Sequence, residues 1–257
     1  MRLIEILPNG DLRLADKFFH DAIPPYAILS HTWGDPSQEV IFEDMVAGTG
    51  QSKAGYGKIR FCGEQASRDG YKYFWVDSCC IKRSSDSELS ESINSMFRWY
   101  QRADKCYVYL SDVSTIKGKG GNEDGLDTWK DAFGLSRWFT RGWTLQELVA
   151  PPSVQFFSAE GKRLGDKNSL EDEIHKRTGI DVRALRGNSL LDFTVSERMS
   201  WAMNRQTTRH EDKAYSLLGI FGIHMPLIYG EGEDNSLRRL RETIRTANGE
   251  LRNPQLN

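Results

Sequence analysis

A helix pattern runs directly into a strand pattern in residues 56–80, YGKIRFCGEQASRDGYKYFWVDSCC. Over 56–69 the apolar residues recur at helical spacing, and Gly70 suits the left-handed conformation that often ends a helix. Residues 71–80 then form a short apolar run of the kind found in buried strands. The unit predicts a helix that packs on a sheet and leads into one of its strands.

Similar apolar runs lie on both sides of this unit, at residues 26–31 (YAILSH) and 106–110. Before the later run, Ser85 and Glu88 have the spacing of a capping box, which opens a helix with one apolar face. The order strand, helix, strand, helix, strand is typical of a mostly parallel sheet with right-handed crossovers. The sequence therefore predicts an α/β fold with helices flanking the sheet.

An N-terminal β-hairpin is predicted from residues 3–7 and 12–14, because they flank an Asn-Gly pair of the kind that closes hairpins. A loop rich in glycine and charge is expected at 117–125, and residues 154–158 form a fourth strand-like run. Beyond residue 161 only helical patterns follow, at 169–178, 196–204, 210–221 and 235–247.

These patterns predict one domain in two parts. Residues 1–160 should form the α/β core with its hairpin, and residues 161–250 a helical C-terminal part packed on it. Thr208 and Glu211 have capping-box spacing at the start of one C-terminal helix. The tail is expected to be frayed, and the chain is expected to be part of a longer protein.

The composition argues against several classes of ligand and cellular location. A net charge of −2 over 257 residues gives no electrostatic case for nucleic acid or an anionic membrane. The four cysteines have neither zinc-binding nor secreted-disulfide spacing, which favours a reducing compartment. No signal pattern is present, and the longest apolar stretch, 214–229, is interrupted by glycine, histidine and proline. We therefore expect a soluble, cytoplasmic protein with no membrane span.

Polar side chains follow three of the predicted strands where each strand ends. The three segments are Ser30-His31-Thr32-Trp33-Gly34, Asp77-Ser78-Cys79-Cys80 and Ser111-Asp112. Ligands of open parallel sheets bind at the carboxyl ends of the strands. The sequence thus predicts a site for a polar ligand at this edge, although each residue could instead satisfy loop backbone groups or cap a turn.

Residues 138–148, WFTRGWTLQEL, place an acid beside a large aromatic wall. Trp143 and Glu147 are four residues apart, so on a helix they share a face. Such a wall can exclude water, raise the pKa of a carboxyl group and stack on a flat ligand. One site could gather this glutamate with Ser30, His31, Trp33 and Asp77, and the alternative is a core helix whose glutamate points to solvent.

A further hypothesis is a cysteine nucleophile, Cys79 or Cys80, with His31 as its base. The alternative is that both cysteines are small, apolar, buried side chains. The glycine-rich dinucleotide and phosphate-loop signatures, the zinc-protease signature and the serine-hydrolase elbow are all missing from the sequence.

Three ordered blocks resemble the fungal heterokaryon incompatibility (HET) domain. They are residues 26–34, residues 75–81 continuing into 90–96, and residues 136–148. Segments 196–202 and 211–220 are similar to the region that often follows, so the resemblance covers roughly 26–245. It implies a role in fungal non-self recognition that ends in cell death. The chain would be the effector part of a receptor-type protein with a nucleotide-oligomerisation module, or would respond to an allelic partner.

The HET domain is in turn distantly similar to Toll/interleukin-1 receptor (TIR) domains, which implies a flavodoxin-like sheet. Enzymatic TIR domains carry a catalytic glutamate in a Trp-Cys-x-x-Glu setting, which Trp143 to Glu147 match, with Thr144 in place of the cysteine. The resemblance implies cleavage of NAD⁺ at the nicotinamide–ribose bond with Glu147 catalytic. NAD⁺ is then a substrate, no cofactor or metal is needed, and self-association supports activity. The residues expected around the substrate are Ser30, His31, Trp33, Asp77, Cys79 and Trp143.

Three functions remain open at this point. The first is an NAD⁺ glycohydrolase, the second a non-catalytic signalling module that kills through assembly and recruitment, and the third a cysteine hydrolase. Glu147 separates the first from the other two, because only the first needs its carboxylate for chemistry.

Overall fold

The computed structural model describes residues 1–19, 22–116 and 128–252, so the expected loop at 117–125 and the end of the tail lie outside the described residues. The strands are β1 Ile4–Ile6, β2 Leu12–Leu14, β3 Ala27–His31, β4 Tyr73–Trp75, β5 Lys105–Tyr109, β6 Val154–Phe157 and β7 Arg163–Asp166. The helices are α1 Phe42–Ala47, α2 Tyr56–Arg68, α3 Asp77–Cys80, α4 Asp86–Arg102, α5 Thr128–Leu135, α6 Thr144–Val149, α7 Glu171–Thr178, α8 Val182–Leu185, α9 Val195–Ser200, α10 Asp212–Tyr215, α11 Leu218–Phe221 and α12 Gly232–Arg252.

The seven strands form a single sheet in the order β2-β1-β4-β3-β5-β6-β7. Its centre is parallel, since β3 pairs in parallel with β4 and β5, and β5 with β6. Both margins are antiparallel. The predicted α/β sheet and N-terminal hairpin are confirmed. The four parallel strands have the order second, first, third, fourth, which is that of doubly wound sheets with a switch point between the first and third strands, here β3 and β5.

The two crossover helices form where the sequence places their apolar faces. Helix α2 buries Ile59, Cys62 and Ala66, which recur at helical spacing. Helix α4 begins at Asp86 and is capped by Ser85, whose hydroxyl accepts a hydrogen bond from the Glu88 backbone N–H. The Glu88 carboxylate bonds the Lys82 backbone N–H instead of closing the predicted box. Helix α2 therefore connects β3 to β4, and α4 connects β4 to β5, as crossovers between parallel strands.

Two predicted elements differ from the structure. The strand expected over 71–80 ends at Trp75, and Asp77–Cys80 turn into a short helix closed by a hydrogen bond from Cys80 N to Val76 O. The helix expected over 210–221 is two short helices, with Ser216 and Leu217 forming a turn between them. No capping box forms there, since the Glu211 carboxylate accepts from the Gly230 and Gly232 backbone N–H groups.

The C-terminal part combines a strand with helices. Strand β7 pairs with β6 and lies beyond the expected boundary at residue 160, and its short polar sequence gave no strand signal. The last helix, α12, buries Leu240 and Ile244 against the core. None of the helices in the described ranges is both long and apolar enough to cross a membrane.

Candidate functional site

A cavity of about 700 Å³ opens where β3 and β4 end. His31 ends β3, Asp77 opens the helix after β4, and Trp33 lies in the loop between α1 and β3. Trp143 and Glu147, from the start of α6, complete this side of the lining. The volume lies within the range of pockets that bind small molecules. Side chains separated along the sequence therefore meet at the edge that the strand ends predicted.

Glu147 is held at the closed end of this cavity. It is 7% exposed, and its Oε2 accepts a hydrogen bond of 2.5 Å from the Ser30 hydroxyl. Ser30 in turn accepts from the Trp138 indole N–H at 2.8 Å, and it is buried behind the cavity wall. Burial raises the pKa of Glu147 to about 8, against the opposing effect of the Ser30 bond. The carboxyl group is therefore mainly protonated at pH 7.

The cation that lowers the pKa of Glu147 is a buried arginine, Arg205, which the sequence analysis did not identify. Arg205 donates to the Arg141 backbone carbonyl at 2.9 Å and to the Thr144 hydroxyl at 2.8 Å. Burial lowers its pKa to about 9, and the negative charge of Glu147 opposes that shift. Arg137 and Arg141, which flank the Trp-rich segment, form no ion pair with Glu147 in the described structure. Arg205 thus supports the ionised form of Glu147 from behind helix α6.

Asp77 organises the opposite wall. Its Oδ2 accepts from the Trp33 indole N–H at 3.0 Å and from Arg83 at 3.2 Å, and the Arg83 guanidinium stacks on the Trp33 ring at 4.5 Å. His31 Nε2 lies 3.7 Å from Asp77 Oδ1. Both ring nitrogens of His31 are buried without a hydrogen bond, and burial keeps its pKa well below the usual value. A neutral imidazole with unused polar atoms therefore faces the cavity.

The C-terminal part supplies a third wall that sequence reasoning missed. Asp212 accepts from the Trp143 indole N–H at 3.1 Å and from the Tyr229 hydroxyl at 3.0 Å. The three side chains all line the cavity. The segment resembling the region after the HET blocks contained Asp212, but no spacing rule linked it to Trp143. The Asp212 carboxylate therefore holds the Trp143 and Tyr229 rings in the wall of the same cavity.

Gly142 allows this wall to approach helix α6. Its N–H donates to the Gln206 carbonyl at 2.8 Å, and a Cβ at this position would meet a Thr207 methyl at 2.5 Å. Only glycine permits this contact without displacement. The C-terminal segment is therefore an integral part of the cavity wall.

Neither candidate nucleophilic cysteine reaches the cavity. Cys79 and Cys80 are buried and lie outside its lining. A hydrogen bond with Cys80 and burial raise the pKa of the Cys79 thiol well above its ordinary value, whereas a nucleophile must be a thiolate. Asp112, at the end of the third strand, accepts from the Ser136 hydroxyl and the Arg137 backbone N–H and so caps a turn. Cys79, Cys80 and Asp112 therefore support the fold and do not line the cavity.

The described ranges contain no group of three or more histidine, cysteine or acidic side chains arranged to hold a metal ion. The cavity lining includes the acid and base groups of Glu147, His31, Asp77 and Asp212.

The raised pKa of Glu147 predicts a stability difference that depends on pH. Between the unfolded pKa near 4.5 and the folded pKa near 8 the native state binds the extra proton, so its stability falls as pH rises. Relative to Glu147→Gln, the free energy of unfolding of the wild-type protein should fall by up to about 1.4 kcal/mol per pH unit in this window. The total fall is on the order of 3–5 kcal/mol. Urea unfolding of both proteins from pH 5 to pH 9 measures the difference, and a constant difference would contradict it.

The fold and the cavity define an α/β protein with a doubly wound sheet and a ligand-sized pocket beside its switch point. The sequence profile of the family described as "Heterokaryon incompatibility protein (HET)" matches residues 26–125. The chain is 59% identical over 244 residues to "Vegetative incompatibility protein HET-E-1" of Podospora anserina. It therefore carries a fungal heterokaryon incompatibility (HET) domain.

The alignment with that relative covers 95% of this chain and 18% of the relative's length. No solved structure gave a significant match. The cavity spans the region of the family match and the segments beyond it, since Asp77 lies within residues 26–125 and Trp143, Glu147 and Asp212 lie outside.

Proposed function

We propose that this domain is a cell-death effector of vegetative incompatibility that cleaves NAD⁺ at the nicotinamide–ribose bond. The name of the Podospora relative supports the biological role. The observation that carries the chemistry is a single buried carboxyl group, Glu147, at the closed end of a cavity with aromatic walls. A carboxylate in that position stabilises a positive charge that develops on a sugar ring.

The reaction needs one bond to break and one to form. The bond between ribose C1′ and the nicotinamide ring nitrogen breaks, and its electron pair neutralises the cationic ring. Water then adds to the oxocarbenium-like C1′ and loses a proton, giving ADP-ribose and nicotinamide. Glu147 in its ionised form would face the charge on C1′, and a cationic ring bound beside it favours ionisation.

The other lining residues suit the rest of the substrate. The Trp143 ring, held by Asp212, offers a flat wall for nicotinamide. His31 contributes a neutral ring to the cavity wall beside Asp77, with both ring nitrogens buried. Ser30 orients Glu147 from behind without entering the cavity. Cys79 has no part in this proposal because it is buried outside the lining.

A non-catalytic assembly module remains the alternative function, and an upstream receptor-type module or an allelic partner remains the proposed activator. Self-association as a requirement for activity also stays a prediction. Specific activity across a dilution series separates a monomeric enzyme from one that needs assembly.

The direct test is nicotinamide release from NAD⁺ by the purified, concentrated protein, followed by chromatography of nicotinamide and ADP-ribose. Release in equal amounts is the expected result. A folded protein that releases none at high concentration, with or without forced dimerisation, would leave the assembly module as the function.

The pH profile provides a second prediction for the same site. Since kcat/KM reports the free enzyme, it should rise about tenfold per pH unit below pH 8 and level off above, as Glu147 ionises near its pKa of about 8. Steady-state rates from pH 6 to pH 9, with stability checked by dilution back to pH 7, measure the profile. A rate that falls over this range would mean that Glu147 acts as a proton donor instead.

A further inference from the structure

The open end of the cavity is unusually cationic. The arginines in its lining are Arg83, Arg137, Arg141 and Arg209. The lining sets three carboxyl groups against these four arginines, Asp77, Asp212 and Glu147, and burial raises the pKa of Glu147 to about 8. The whole chain has a net charge of −2, so the excess of positive charge belongs to this cavity and not to the protein in general. A local field of this sign attracts an anionic ligand.

The arginines lie nearer the surface than the reactive carboxyl group. Glu147 and His31 are more than nine-tenths buried, whereas Arg137 and Arg209 are exposed and Arg141 is half-buried. A ligand that spans the cavity would therefore place one end against a buried acid and its other end among guanidinium groups.

Three of the four guanidinium groups keep donors for a ligand. Arg137 has no side-chain hydrogen bond or ion pair within the described ranges. Arg141 donates to the Thr208 hydroxyl at 3.2 Å, which uses one of its five donors. Arg209 lies over the Tyr229 ring at 4.1 Å, an arrangement that leaves the guanidinium edge open. Arg83 differs, since it is engaged with Asp77 and Trp33.

We propose that Arg137, Arg141 and Arg209 form a subsite for the pyrophosphate group of a dinucleotide. Planar guanidinium groups bind phosphate oxygens through paired, charge-assisted hydrogen bonds. The identity of the ligand's buried end rests on the proposed function. The subsite predicts that the domain selects substrates by their phosphate groups and binds a nucleoside without them poorly.

Binding without turnover tests this subsite. In a Glu147→Gln background, NAD⁺ itself is the probe, and titration calorimetry compares it with nicotinamide riboside, which has no phosphate. NAD⁺ should bind at least about tenfold more tightly, and its affinity should fall as sodium chloride is raised. Arg137→Gln, which removes a guanidinium that has no partner among the described residues, should weaken NAD⁺ binding about tenfold and leave nicotinamide riboside binding unchanged.

Arg60→Gln is the matched control, because Arg60 is an exposed arginine of α2 outside the cavity lining. It should leave NAD⁺ affinity unchanged. Arg141→Gln and Arg209→Gln repeat the test, with thermal unfolding to confirm folding. In the active protein, the same variants should raise KM for NAD⁺ more than they lower kcat.

The two proposals fail in different ways. Tight binding of ADP-ribose that is lost in Arg137→Gln, in a protein that never releases nicotinamide, would retain the subsite and remove the proposed activity. Nicotinamide release with unchanged KM and NAD⁺ affinity in all three arginine variants would overturn the subsite. ADP that binds as tightly as NAD⁺ would overturn its assignment to a dinucleotide.

Discussion

Glu147→Gln is expected to lower nicotinamide release by about 10²–10⁴-fold at pH 7.5 while the protein remains folded. The carboxylate supplies a negative charge to the oxocarbenium-like transition state, and an amide of the same shape cannot. Because Glu147 is mainly protonated at this pH, the amide matches its resting form and should keep the bond from Ser30. Activity and melting temperature are measured on the same preparation.

Glu64→Gln is the control for this substitution, since Glu64 is an exposed carboxylate on the surface of α2. It should retain both activity and melting temperature. Expression of the two variants in a fungal cell-death assay extends the test to the biological role. Full killing by a folded Glu147→Gln protein would remove the enzymatic proposal and leave assembly as the cause of death.

Gly219→Ala is expected to destabilise the fold more than an ordinary surface change. Gly219 lies in α11 against α4, where an added Cβ would be 2.0 Å from the Phe97 Cβ and 2.3 Å from its Cγ. Rotation of the Phe97 side chain cannot move its Cβ, so the two helices must separate. Overpacking of this kind costs about 1–3 kcal/mol or more. We expect a fall in melting temperature of roughly 2–12 °C from the usual scaling for this chain length.

Gly57→Ala provides the contrast, because Gly57 is also helical and an added Cβ there would meet no atom within 4 Å. Alanine is the better helix former by roughly 0.5–1 kcal/mol, so this variant should be as stable as the wild type or slightly more stable. Equal melting temperatures for Gly219→Ala and Gly57→Ala would show that α11 does not pack on α4 as the structure has it.

Local periodicity was sufficient to predict the parallel centre of the sheet. The runs at 26–31 and 106–110 and the helix at 56–69 are patterns that a few consecutive residues carry. The same logic failed for β7, whose four residues are short and polar and become a strand only by pairing with β6. It also failed for the helix expected over 210–221, which is two short helices separated by a turn at Ser216 and Leu217.

The candidate site, like the fold, was only partly predictable from the sequence. The rule for strand ends predicted that Ser30, Asp77 and Glu147 would approach one another, although Ser30 and Glu147 are 117 residues apart. That rule concerns topology, which the order of strands and helices along the chain already implies. It could not predict Asp212, because contact between Trp143 and the C-terminal part depends on how two regions pack.

The chemical state of Glu147 likewise follows from packing. A Trp-x-x-x-Glu spacing is compatible with a solvent-facing acid, a structural ion pair or a buried acid. The structure shows the third, with Ser30 on one oxygen, Arg205 behind the helix and a raised pKa. Burial is a property of everything that surrounds a side chain, so a one-dimensional pattern can name the residue, whereas only the folded arrangement decides its protonation and its partners.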